Sequence, residues 1–177
     1  MPRRPDMPPL RRNALHDDPF EQFAEWWERA LTEAPLPDAI CLATVDAEGA
    51  PDARMVLLKG FDSAGFRFHT NYLSAKGVQL EANDRAAIVV YWRELDRQVR
   101  IRGAVERLGA EESDAYFTTR PPDRRIGAWA SPQSQPLASR EELDDRVREV
   151  FDEQLAERPG ELLGLGESWF GLGERGV

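Results

Sequence analysis

The chain has 177 residues, 41% hydrophobic and 31% charged, which suits one folded domain with a real core and excludes a disordered chain. Its 32 acidic and 23 basic residues leave a net charge of −9, which excludes a broad nucleic-acid surface. Its apolar runs are too short to cross a bilayer, its one cysteine, Cys41, excludes an internal disulfide, and two histidines, His16 and His69, argue against a zinc site.

The first segment, MPRRPDMPPLRR, is basic but lacks the apolar core of a signal peptide, so a soluble cytoplasmic protein is expected. Residues 1–17 are rich in Pro and Arg without a period and read as a mobile arm; residues 18–177 are expected to form a single domain. Asp18-Pro19 opens a helix, with Asp18 as N-cap, Pro19 at the first helical position and Glu21 completing a capping-box pattern. Phe20, Phe23, Ala24, Trp27, Ala30 and Leu31 share one face at helical spacing and predict a core stripe.

Ala34-Pro35-Leu36-Pro37 ends that helix. Three strands are then predicted, at Ala39–Asp46, Ala53–Lys59 and Phe66–Thr70, joined by turns at Asp46–Gly49 and Asp62–Gly65 as an antiparallel meander. Ala75–Ala82 reads as a short helix with Val78 and Leu80 as buried contacts. Ala86–Trp92 is a continuous apolar run and predicts a strand buried on both faces. Arg97–Leu108 alternates, with Val99, Ile101 and Val105 on one side and Gln98, Arg100 and Arg102 on the other; Gly103 predicts a bulge or a close approach. Five or six such strands with short links predict a small antiparallel barrel. Helices follow at Ala110–Thr119, at Asp123–Trp129, and from a Ser139 cap with Glu142 three residues on. Leu143, Val147, Val150, Phe151 and Leu155 form the expected buried face of that last helix. The glycine-rich tail contains GLGESWFG, which lacks the strand-to-helix setting of a nucleotide-binding loop.

Neither a Ser–His–Asp set nor a distinctive pair of carboxylates stands out. What stands out is polar chemistry on apolar strands. Arg54 and Lys59 frame the strand RMVLLK, and Thr70, Asn71, Ser74 and Lys76 fill the loop after the next strand. Cations there could neutralise a phosphate, and a helix start adds N–H donors. Gln98, Gln133 and Ser134 are further polar groups that a bound cofactor could satisfy. The alternative is an ordinary hairpin whose charged ends face water.

The segments ATVDAEGAPDARMVLLKGFDSAGFRFHTNYLSAKG, VYWRELDRQVRIRGAVERL and AYFTTRPPDRRIGAWASPQSQ resemble, in order and spacing, the pyridoxine (pyridoxamine) 5′-phosphate oxidase family of flavin enzymes. The resemblance covers residues 10–150. It implies a mainly β fold with peripheral helices, an antiparallel FMN-binding split β-barrel, and a homodimer with FMN in a cleft between subunits. The implied FMN residues are Arg54, Met55, Val56, Leu57, Leu58 and Lys59, then His69, Thr70, Lys76, Gln98, Gln133 and Ser134. The implied substrate-phosphate residues are Lys59, Tyr116 and Arg120, with Arg124 where the family has a serine. Ala75 stands where the family has an arginine. The implied reaction oxidises pyridoxine or pyridoxamine 5′-phosphate to pyridoxal 5′-phosphate by hydride transfer to FMN. O2 is the acceptor and H2O2 the by-product, and no side chain serves as a nucleophile.

The family's closing segments, an E-F-W-Q-G strand and an R-L-H-D-R motif, have no counterpart before Val177. The domain is therefore expected to be shortened and to lack part of the barrel. Two further readings follow: a phenazine-biosynthesis-type flavin oxidase, which YWRE at Tyr91–Glu94 resembles, or a flavin-binding protein without oxidase activity.

Overall fold

The computed structural model describes residues 10–130, 133–157 and 169–173. Among these residues, six antiparallel strands form a closed barrel, built from β1 (Ala39–Val45), β2 (Pro51–Asp62), β3 (Gly65–His69), β4 (Arg85–Trp92), β5 (Arg97–Arg107) and β6 (Trp169–Gly173). Their order is β1-β2-β3-β6-β5-β4, and β4 pairs back onto β1. β6 lies between β3 and β5 and closes the sheet. GLGESWFG thus runs into a strand, although its first part lies outside the described residues.

Period-2 alternation builds the interior. Ile40 and Leu42 of β1, Val56 and Leu58 of β2, Phe66 and Phe68 of β3, and Ile88, Val90 and Trp92 of β4 all point inward and are buried. β5 adds Val99, Ile101 and Val105 from the predicted side, while Gln98, Arg100 and Arg102 face out. β4 corrects the expectation of burial on both faces. Its outward residues Ala87 and Val89 are half-buried and Tyr91 is 55% exposed. Gly103 pairs in register with Ala86, so no bulge forms there. The irregularity falls on β2, where Leu58 pairs with Phe68 and Gly60 with Arg67, leaving Lys59 as the extra residue.

Helix α1 (Pro19–Glu33) closes one end of the barrel. Asp18 caps it, accepting from the Phe20 N–H at 2.7 Å, and Pro19 takes the first position. Glu21 lies 3.6 Å from His16, which also meets Glu25 at 3.1 Å, so residues just before the helix fold against it. Phe23 meets Phe61, Phe66 and Trp92 at centroid distances of 4.7, 4.9 and 5.4 Å, and the Trp92 indole N–H donates to the Pro37 carbonyl at 2.8 Å. Leu31 departs from the expected stripe and is 50% exposed.

α2 (Ala75–Ala82) follows β3, and α3 (Ala110–Thr119), α4 (Pro122–Ala130) and α5 (Arg140–Glu157) follow β5. Leu80 of α2 is buried but Val78 is 58% exposed, contrary to expectation. The α5 start carries the predicted cap, with the Glu142 N–H donating to Ser139 Oγ and the Ala138 N–H to Glu142 Oε2. Leu143, Val147 and Val150 of its predicted apolar face are half-buried and Phe151 is 44% exposed, while the side chain of Leu155 lies outside the described residues. Among the described residues, no helix is long and apolar enough to cross a membrane, and no group of three or more His, Cys, Asp or Glu could hold a metal ion.

Candidate functional site

Two groups of cations form where β2 and β3 part. β3 pairs with β2 only from Leu58 onward, so Arg54–Leu57 have β1 on one edge and no strand on the other. The chain leaves β3 after His69 and turns through Thr70–Ser74 into α2, whose Gln79 reaches Arg54 and Asp52 of β2.

The first group joins Arg54, Lys76 and Gln133. Ser74 is fully buried and caps α2, accepting from the Gly77 N–H at 3.3 Å and donating to the Asn71 carbonyl at 2.6 Å. Thr70 Oγ1 lies 3.3 Å from Ser74 Oγ. The Lys76 ammonium donates to Ser74 Oγ and Gln133 Oε1, both at 3.1 Å and both uncharged. Burial, and then the nearby Arg54 charge, push the Lys76 pKa down. An ammonium held by neutral oxygens beside a second cation is a site that an anion would relieve, so the donor set fits a phosphate group. Ser134 follows Gln133 in an exposed turn, with a left-handed φ of 66°.

Arg54 is already occupied. Its Nη1 donates to the Leu42 carbonyl (3.2 Å) and Thr44 Oγ1 (2.6 Å), and its Nη2 to Asp52 Oδ2 (2.6 Å) and Gln79 Oε1 (2.8 Å). Thr44, Asp52 and Gln79 escaped the sequence reading. A signal existed: Thr44 is a polar residue in the inward phase of β1, and Gln79 lies one helical turn beyond Lys76.

The second group joins Lys59, His69, Tyr116 and Arg120. Lys59, the extra residue of the bulge, follows inward-facing Leu58 and points outward, where it pairs with Asp38 at 3.0 Å beside a shallow depression of about 550 Å³ lined by Trp27, Leu31 and Phe61. His69 stacks on Tyr116 of α3 with centroids 3.8 Å apart. Burial and the charges of Lys59, Arg120 and Arg67 depress its pKa to about 3. Lys59 and Arg120, far apart in sequence, thus act on one imidazole. Arg67 itself pairs with Asp62 at 2.6 Å.

The remaining predicted residues are placed as follows. Met55 and Leu57 point outward, 64% and 45% exposed, while Val56 and Leu58 point into the core and leave only backbone to a ligand. Gln98 is exposed on β5 opposite Tyr91, separated from β2 by β4 and β1, so one chain does not bring it to either group. Arg124 lies in α4 and its side chain falls outside the described residues.

The family profile described as pyridoxamine 5′-phosphate oxidase matches residues 27–154. A pyridoxine/pyridoxamine 5′-phosphate oxidase of Bordetella petrii is 58% identical over 142 residues, covering 80% of this chain and 67% of that protein. This chain belongs to the pyridoxamine 5′-phosphate oxidase family. A second member, from Cupriavidus taiwanensis, is 51% identical over 151 residues, covering 85% of this chain and 71% of its own. Among solved structures, PhzG from Burkholderia lata 383, in complex with tetrahydrophenazine-1-carboxylic acid, superposes with a TM-score of 0.83 at 25% identity, over 94% of this chain and 82% of that one. A pyridoxamine 5′-phosphate oxidase-related, FMN binding protein from Nostoc punctiforme gives 0.65 at 18% identity, covering 88% and 80%, and shares the fold. The antiparallel split barrel expected from the sequence is therefore the fold of this pyridoxamine 5′-phosphate oxidase family member.

Proposed function

We propose that the protein is an FMN-dependent oxidase that converts pyridoxine or pyridoxamine 5′-phosphate to pyridoxal 5′-phosphate. The observation that carries this reading is the presence of two cation groups, Arg54 with Lys76 and Lys59 with Arg120, flanking the exposed apolar residues Met55 and Leu57. FMN and the substrate each bring one phosphate and one flat ring. Lys76 and Arg54 neutralise the cofactor phosphate within an acidic protein, and Gln133 steadies Lys76. Lys59, Tyr116 and Arg120 receive the substrate phosphate, with Lys59 exchanging its Asp38 partner for it. The open edge of β2 offers backbone groups to the flavin.

When bound, FMN would accept a hydride from the substrate and pass two electrons to O2. For the alcohol, the overall change is CH2OH + O2 → CHO + H2O2; for the amine, water is also consumed and ammonia released. The chain's residues bind and orient the reactants.

The same reading includes a homodimer. The outer face of β2-β1-β4 carries Met55, Leu57, Cys41, Ala43, Val89 and Tyr91 with no layer over it among the described residues. A second copy on this face would complete the burial that the β4 sequence predicts and bring a partner's polar residues to the site. One specific observation favours a second reading: the PhzG structure overlays nearly the whole chain, so a phenazine-type substrate without phosphate is the alternative.

The deciding experiment incubates FMN-loaded protein with pyridoxine 5′-phosphate, pyridoxine, or a dihydrophenazine carboxylate under O2, and follows H2O2 and aldehyde. Turnover of the phosphorylated vitamer, with little of the unphosphorylated one, is expected. Turnover of the phenazine alone would select the second reading. Bound flavin with no turnover of any of the three would make the protein a flavin binder.

A further inference from the structure

Arg54 and Lys76 sit on different elements, a strand and a helix, yet the phosphate site needs them at a fixed separation. Gln79 is the side chain that joins those elements. It lies on α2 one turn beyond Lys76 and reaches β2 at two points: Oε1 accepts from Arg54 Nη2 at 2.8 Å, and Nε2 donates to Asp52 Oδ2 at 3.3 Å. The same Oε1 accepts from Thr44 Oγ1 at 2.6 Å, and Thr44 in turn accepts from Arg54 Nη1 at 2.6 Å.

The direction of every bond is forced. A guanidinium only donates, so Thr44 must spend its proton on Gln79 and the amide must turn its oxygen toward Arg54. A flipped amide would set donor against donor. With Leu42 and Asp52, these contacts use four of the five N–H groups of Arg54. Arg54 is thus a fixed charge with one remaining donor, Nε, rather than a mobile clamp, and its orientation is set by its neighbours.

We propose that Gln79 is a positioning residue for the cofactor phosphate, acting through Arg54 by locking that guanidinium to the helix that carries Lys76. The proposal rests on the FMN reading above and assigns a role to a side chain that need not touch the ligand. The half-buried position of Gln79 and the buried Thr44 residue shield the Arg54–Thr44–Gln79 contacts from competing water, while the contacts to Asp52 lie exposed.

The test is titration of the apoprotein with FMN and with riboflavin, which lacks the phosphate, by flavin fluorescence quenching. Gln79→Leu removes both contacts, and Gln79→Asn is one methylene too short to span them. Each variant is expected to raise the FMN Kd about tenfold, the cost of a disordered charge-assisted contact, and leave the riboflavin Kd unchanged. In an Arg54→Ala background, Gln79→Leu is expected to change the FMN Kd by less than about twofold, because the two act as one unit. Wild-type FMN affinity in both single variants overturns the proposal. So does an equal loss for FMN and riboflavin, a full additional loss in the Arg54→Ala background, or failure of both variants to fold, each marking Gln79 as merely structural. A wild-type chain that does not prefer FMN to riboflavin overturns the FMN-phosphate reading itself, which separates the two failures.

Discussion

His69 shows how one residue reports on its surroundings. Burial first, and then the charges of Lys59, Arg120 and Arg67, hold this histidine, stacked on Tyr116, neutral, with its pKa lowered to about 3 from an ordinary 6.5. The unfolded chain takes up a proton near pH 6.5 and the folded chain does not until about pH 3. The contribution of neutral His69 to stability is therefore fully present above pH 6.5 and is lost as the pH falls toward 3. His69→Phe keeps the stack and removes the titration. Its urea midpoint, compared with wild type at several pH values, should gain relative stability steadily from pH 6.5 down to 4. A constant offset across that range would mean that His69 does not titrate as described.

At the scale of elements, the turn into α2 depends on a glycine. A Cβ at Gly77 would collide with the backbone carbonyls of Tyr72 and Asn71, which are held by the turn that Ser74 caps. Gly77→Ala should destabilise the fold by about 1–3 kcal/mol through overpacking and displace Lys76. Denaturant unfolding measures the first effect, and FMN titration of the folded variant measures the second. Unchanged values for both would show that the turn yields freely. The β2 bulge is the other device at this scale. Lys59 already follows inward-facing Leu58 on the outward phase; the extra residue resets the alternation beyond it, so that Phe61, which a regular ladder would turn out, pairs with Phe66 and packs on Phe23.

At the scale of the whole molecule, one broad apolar sheet face has no layer over it among the described residues, while the other face is packed tightly. Cys41 sits near the middle of that face, with Met55 and Val89 as its register partners on either side. Val89→Asp would bury an unpaired carboxylate in the proposed dimer and should weaken association at least about tenfold. Light scattering reads the mass, and a parallel titration should show FMN affinity falling with it, since the cofactor cleft is proposed to need both copies. A variant that stays dimeric, or a monomer that binds FMN at full strength, would refute the shared cleft.

Much of this was legible in the chain itself because its causes are local. α2 spans Ala75–Ala82 as predicted, and the alternation in β5 separates Val99 and Ile101 from Arg100 and Arg102 as predicted, since helix ends and period-2 patterns act over a few residues. What depended on register and distant closure was decided only by the tertiary structure. β6 is a glycine-rich segment with no strand pattern of its own, and it becomes a strand because β3 and β5 leave two edges to fill. Arg54 was legible as a cation at a strand start. That its charge is tied to Thr44, Asp52 and Gln79 follows from pairing Leu42 with Arg54 and from laying α2 across the barrel end, and neither is encoded within reach of Arg54 along the chain.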